Sequence, residues 1–138
     1  MEVSAMRTRL IVAVASIAGL LAAVPVVAHH SFAAEYDANK PVKLTGTVTK
    51  VEWTNPHCYF YIDVKDETGK IVNYALESGN PNALLRNGWA RNTLKIGDII
   101  NVEGTAAKDG SAHVNARVMV MASTGRRLFA GSSQDTNP

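Results

Sequence analysis

The chain is poor in cysteine. Cys58 is the only one among 138 residues, so no internal disulfide can form and packing must supply the stability. Aromatic residues are few, at 7%, and the two tryptophans, Trp53 and Trp89, are expected in the core or against a helix rather than on a ligand surface. An excess of one charge is missing too. Fourteen Lys and Arg stand against 12 Asp and Glu, which removes the electrostatic case for a nucleic-acid partner. The longest apolar run, Leu10 to Val24, is 15 residues, short of the roughly 20 that a bilayer-spanning helix needs. There is no G-x-S-x-G elbow, no G-x-x-x-x-G-K phosphate loop and no pair of closely spaced cysteines. The expectation is therefore a non-enzymatic protein.

What is present begins with an export leader. Arg7 and Arg9 precede the apolar run, Pro25 follows it, and Val26-Val27-Ala28 supplies the small residues of a cleavage site. Residues 1–28 thus read as a signal peptide and His29 as the first mature residue, with a cut after Ala23 as the competitor. Cleavage leaves 110 residues, of which 12 are basic and 11 acidic, enough for one modest core. No cysteine at the junction offers a lipid anchor, so the expected location is the periplasm, free of the membrane. For Cys58 the functional readings are a metal ligand or an intermolecular bridge, against the simpler one of a small buried apolar residue.

In the mature chain, residues 29–42 read as an amino-terminal arm, 43–122 as a barrel and 123–138 as a polar tail with Leu128 and Phe129 as a docking point. From Lys43, the residues Leu44, Gly46 and Val48 share one face, and the pattern slips by one at Val51 and Trp53, which marks a β-bulge in a bent strand. After Thr54-Asn55-Pro56, Cys58, Phe60, Ile62 and Val64 alternate inward; beyond the Asp66–Lys70 turn, Val72, Tyr74 and Leu76 do the same. Asn80-Pro81 opens a short helix that buries Ala83, Leu84 and Leu85 and ends at Gly88. Ile100 and Val102 lie inward on a fourth strand. On a fifth, Val114, Ala116, Val118 and Val120 are expected inward, with Met119 and Met121 as a protected outer stripe. The order β-β-β-α-β-β predicts an all-β, five-stranded OB-like barrel in preference to an open sandwich, because strand one must curve to pair at both of its ends.

The candidates for chemistry are the histidines. His29 and His30 open the mature chain, His57 stands where the first loop meets strand two, and His113 where the last loop meets strand five. A free terminal amine beside its own imidazole is a chelating pair, and a further imidazole completes the nitrogen-rich set that Cu(II) favours, with Glu35 or Asp37 as an oxygen donor. Set against this is the plainer reading, that His29 and His30 are a polar start and His57 and His113 loop-edge residues. Tyr59 and Tyr61, two apart on the outer side of strand two, are either a stacking platform for a glycan, peptide or protein, or rings packed under the arm through Phe32 and Tyr36.

The segments His29-His30-Ser31-Phe32, Gly46-Thr47-Val48-Thr49-Lys50-Val51-Glu52-Trp53-Thr54-Asn55-Pro56-His57, Gly79-Asn80-Pro81-Asn82, Ile96-Gly97-Asp98 and Arg126-Arg127-Leu128-Phe129-Ala130-Gly131 together resemble a bacterial family of small exported proteins, the domain of unknown function DUF6152. The resemblance spans the mature chain and implies a periplasmic β-barrel without assigning it an activity. It also implies an ordinary apolar or aromatic place for Cys58. A looser likeness, resting on topology, is to exported bacterial OB-fold stress-tolerance proteins.

Three functional readings follow: a periplasmic binding or accessory module working through the His57 and His113 end, a Cu(II) or other transition-metal protein using His29, and an interaction module for a protein or glycan. Amino-terminal sequencing of the protein recovered after export should begin at His29. A start after Ala23 instead would bury His29 within the chain and remove the chelating amine on which the second reading depends.

Overall fold

The computed structural model describes residues 32–131; the expected leader, His29 and His30 lie outside them. A helical turn at 32–35 leads into β1 (Tyr36–Glu52), β2 (Tyr59–Lys65), β3 (Ile71–Glu77), α1 (Pro81–Arg86), β4 (Ile99–Ala107), β5 (His113–Met121) and β6 (Arg127–Phe129). Strands β1 to β5 form a ring. β1 pairs antiparallel with β2 from Thr47 to Glu52 and with β4 from Tyr36 to Thr47, β4 pairs with β5, and β5 runs parallel to β3 over His113–Asn115. The ring closes as β1-β2-β3-β5-β4-β1, the all-β barrel predicted from the strand order. β6 then takes up the edge of β5 that β3 leaves, with Val118 opposite Phe129.

The bend in β1 has identifiable causes. Val48 pairs with Ile62 but Lys50 with Tyr61, so Thr49 is the extra residue of a bulge, as the slipped pattern requires. Before the bulge, a Cβ on Gly46 would stand 2.6 Å from the Asp63 carbonyl oxygen, so only glycine lets these two backbones meet. Inside the ring, Phe60, Ile62, Leu76, Ile100, Val102 and Val114 are fully buried. Burial at this level contributes roughly 1.5–3 kcal/mol per large side chain. Trp53 packs against the core, and Trp89 lies in it, stacked on Phe60 at 5.2 Å and donating its indole N–H to the Phe129 carbonyl at 2.8 Å. Cys58 is buried, and burial pushes its thiol pKa up.

α1 starts as its sequence dictates: the Asn80 side chain accepts from the Ala83 N–H at 2.8 Å and Pro81 occupies the first turn. It plugs the barrel with Leu84, while Leu85 is 51% exposed, because a six-residue helix presents only one narrow face to the core.

Three further expectations are corrected. β5 carries a second bulge: Ala116 pairs with Gly104 and Val118 with Glu103, leaving Arg117 unpaired in the ladder. Beyond it the inward face changes parity, so Met119 lies in the core and Met121 packs against it instead of forming an outer stripe; Val118 is buried as expected, under β6, while Val120 is only half-buried. β1 begins at Tyr36, upstream of Lys43, because β4 is long enough to pair with it as far as Ala107. The region after Ser123 supplies a sixth strand in which Leu128 is buried, since β5 still has an open edge there.

Where β4 passes β5, a Cβ on Gly104 would collide with the Asn115 carbonyl. Gly104→Ala should therefore lower stability by about 1–3 kcal/mol, the usual cost of forced overpacking, seen as a lower urea midpoint at unchanged slope.

Candidate functional site

Inward Cys58 and Phe60 force Tyr59 outward, and inward Leu76 forces Glu77 outward. The ladder then sets Tyr59 opposite Glu77, and the parallel β3–β5 pairing brings His113 beside Ala75 and Asn115 beside Glu77. The result is a polar patch on the outer wall where β2, β3 and β5 meet. Glu77 is nevertheless only 8% exposed, because Tyr36 at the start of β1 lies over it.

Each contact of this carboxylate has a definable role. The Tyr36 hydroxyl donates to Glu77 Oε2 at 2.6 Å. His57 Nδ1 stands 3.0 Å from the Ser78 carbonyl, which can only accept, so Nδ1 carries a proton; the same atom is 3.4 Å from Glu77 Oε1. His113 completes the surround as an aromatic wall, edge-on to Tyr36 at 5.9 Å and 6.0 Å from Tyr59, while Phe32 stacks on Tyr36 at 5.5 Å. Two buried polar atoms here lack any partner, His113 Nε2 and Ser78 Oγ. Unpaired buried polar groups are uncommon enough to mark the place. Beside the patch, an open pocket of about 320 Å³ is walled by Glu35, Tyr36, Lys108, Asp109, Ser111 and His113.

Burial, and after it the bond to Glu77, pushes the Tyr36 phenol far up from its ordinary pKa. Burial and the Glu77 charge together push Tyr59 up to about 12. Both phenols are thus held as neutral hydroxyls, the form that can donate to a carboxylate.

His57 and His113 are both drawn to the surroundings of Glu77. Their intended partners His29 and His30 lie outside the described residues. Of the suggested oxygen donors, Glu35 lines the pocket, whereas Asp37 pairs with Lys40 at 3.7 Å. Among the described residues no group of three or more His, Cys, Asp or Glu is placed to hold a metal ion. The tyrosines of β2 have separate surroundings: Tyr59 belongs to the patch, and Tyr61 donates to Glu52 Oε2 at 3.0 Å with Lys50 above its ring.

Sequence reasoning named Tyr36 only as a ring packed with Phe32 over the β2 tyrosines, and passed over Glu77 altogether. The available signal was an acidic residue closing an apolar strand directly after a core leucine, which is a poor place for a charge without a partner.

These features define a closed OB-like barrel carrying a shielded carboxylate between aromatic rings on its outer wall. The sequence pattern of the family of unknown function DUF6152 matches residues 17–116, and the chain belongs to that family. The matched span includes Tyr36, His57, Glu77 and His113. No curated protein matches the chain.

Tyr36→Phe deletes one donor while leaving the carboxylate buried, so it should cost about 1–3 kcal/mol in urea unfolding near neutral pH. Because the folded pKa of Tyr59 lies above its unfolded value near 10, the folded state holds that proton more tightly. Its contribution is complete below pH 10 and is lost as the pH rises toward about 12. Stability should fall over that window, and Tyr59→Phe should flatten the fall.

Proposed function

We propose that the protein is an exported binding or accessory module, non-enzymatic, whose working surface is the patch around Glu77 and the pocket beside it. The observation that carries this reading is the unpartnered Nε2 of His113, buried between Tyr36 and Tyr59 in the wall of an open polar pocket. The nitrogen has no exposed surface of its own, so a ligand seated in the pocket that displaces the covering rings would meet an unsatisfied hydrogen-bonding group as well as making its own contacts. The leader at residues 1–28 supports export to the periplasm, where the module meets a small ligand or a protein partner.

A second reading, a periplasmic Cu(II) or other transition-metal protein, draws on the same nitrogen. A mature chain beginning at His29 would bring its terminal amine and ring, and His113 or His57 the further imidazole. The outer position of Tyr59 equally suits a glycan or protein contact.

One preparation separates these readings. Protein recovered from the periplasm is weighed intact under native and then denaturing conditions, alongside His113→Ala and Tyr59→Ala. A native mass excess lost in His113→Ala supports the binding module, and an excess equal to one copper ion selects the metal reading. Equal native and denatured masses, with no protein co-eluting and no copper retained after Cu(II) is added in slight excess, would overturn both.

A further inference from the structure

The near neutrality of the chain conceals a local imbalance. Between Glu77 and Asp98 there is no acidic residue, while Arg86, Arg91 and Lys95 are present. All three are exposed. The segment is held flat against the barrel because Trp89 and Leu94 insert into the core between them, so the cations are displayed on an anchored surface. Arg126 joins them from the β5–β6 turn, its guanidinium donating to the Gly88 carbonyl at 2.8 Å. The nearest acid in sequence, Asp98, already accepts the Lys95 backbone N–H at 2.8 Å. Among the described residues none of the four cations forms an ion pair.

Large aliphatic side chains interrupt this basic surface. Leu85 is 51% and Ile96 75% exposed, on the same segment as the three cations. Neither contributes to the core, and leaving both in water gains nothing for folding. Cations beside protruding aliphatic groups match one environment in particular: the interface of an anionic bilayer, where phosphate headgroups meet the charges and the acyl boundary receives the apolar tips. A soluble polyanion or free phosphate would use the charges and leave Leu85 and Ile96 without a role.

We infer that the α1 end of the barrel, Leu85 to Ile96 with Arg126, is a docking surface for anionic membranes. The attachment is peripheral and reversible: no helix of the described residues is long and apolar enough to span a bilayer. It is independent of the Glu77 patch, which lies on the outer wall of β2, β3 and β5.

The test is co-sedimentation of the exported protein with vesicles of phosphatidylcholine alone or mixed with phosphatidylglycerol. The wild-type protein should sediment with the mixed vesicles at low salt, remain in solution with phosphatidylcholine alone, and be released as ionic strength rises. The triple variant Arg86→Gln, Arg91→Gln, Lys95→Gln, with the same amino terminus, should partition more weakly by on the order of a hundred-fold, about five-fold for each charge removed. Ile96→Ser should weaken partition at unchanged salt dependence. If the triple variant does not melt like the wild type, Lys95→Gln alone should still show the five-fold loss. Equal sedimentation of wild type and charge variants would overturn the inference, as would binding to heparin without binding to the mixed vesicles.

Discussion

The barrel depends on β1 pairing along both of its edges at once. One strand serves β4 over its first part and β2 over its second, and Thr47 is in register with partners on both sides, Ile99 and Asp63. A straight strand flanked in this way would lie in the middle of an open sheet. The bulge at Thr49 and the side-chain-free approach at Gly46 turn it instead, and the turn lets β3 meet β5 and close the ring. All else follows from that closure, including the single core filled from six strands and the helix that stoppers it.

The polar patch is a second consequence of the same strand. The first residue of β1 is Tyr36, whose hydroxyl binds a carboxylate on β3. A buried carboxylate with no donor would destabilise the fold by several kcal/mol or lose its charge. The carboxylate here is instead surrounded by phenols and an imidazole, groups that satisfy it without neutralising it by a fixed cation. Such a site is polarisable and open to exchange, as one donor can be replaced by another of similar strength. A Lys or Arg pair in its place would be harder to displace.

The fold was legible because its signals are local. The slip between Val48 and Val51 announced the first bulge, Asn80-Pro81 the helix start, and the alternation from Cys58 to Val64 the inner wall. The second bulge left no such mark: after Arg117 the sequence reads Val, Met, Val, Met, and either parity puts apolar residues inward. Only the register with β4, set where Gly104 meets Ala116 and Glu103 meets Val118, decides that Met119 turns into the core. Leu85 shows a related limit, since its apolar character says nothing about the direction in which a short helix is rotated. The family was likewise legible in the Trp53–His57 segment and its companions. At the site, alternation alone could place His57 and His113 near strand starts. The meeting of Tyr36 with Glu77 spans 41 positions and appears only when the ring is closed. Signals of that kind are tertiary by nature, and sequence periodicity does not contain them.

The closing contacts also come late in the chain. β5 is the strand that seals the ring against β3, and the bulge residue Arg117 offers its carbonyl to the N–H groups of Ala130 and Gly131, while the Ala130 carbonyl accepts from Gly79. Every fragment that stops short of β5 therefore has β3 and β4 with unsatisfied edges and a core open to water. Closure therefore waits for the most C-terminal strands of the barrel: whatever forms earlier from β1 to β4 stays an open sheet until β5 and β6 are present to seal it.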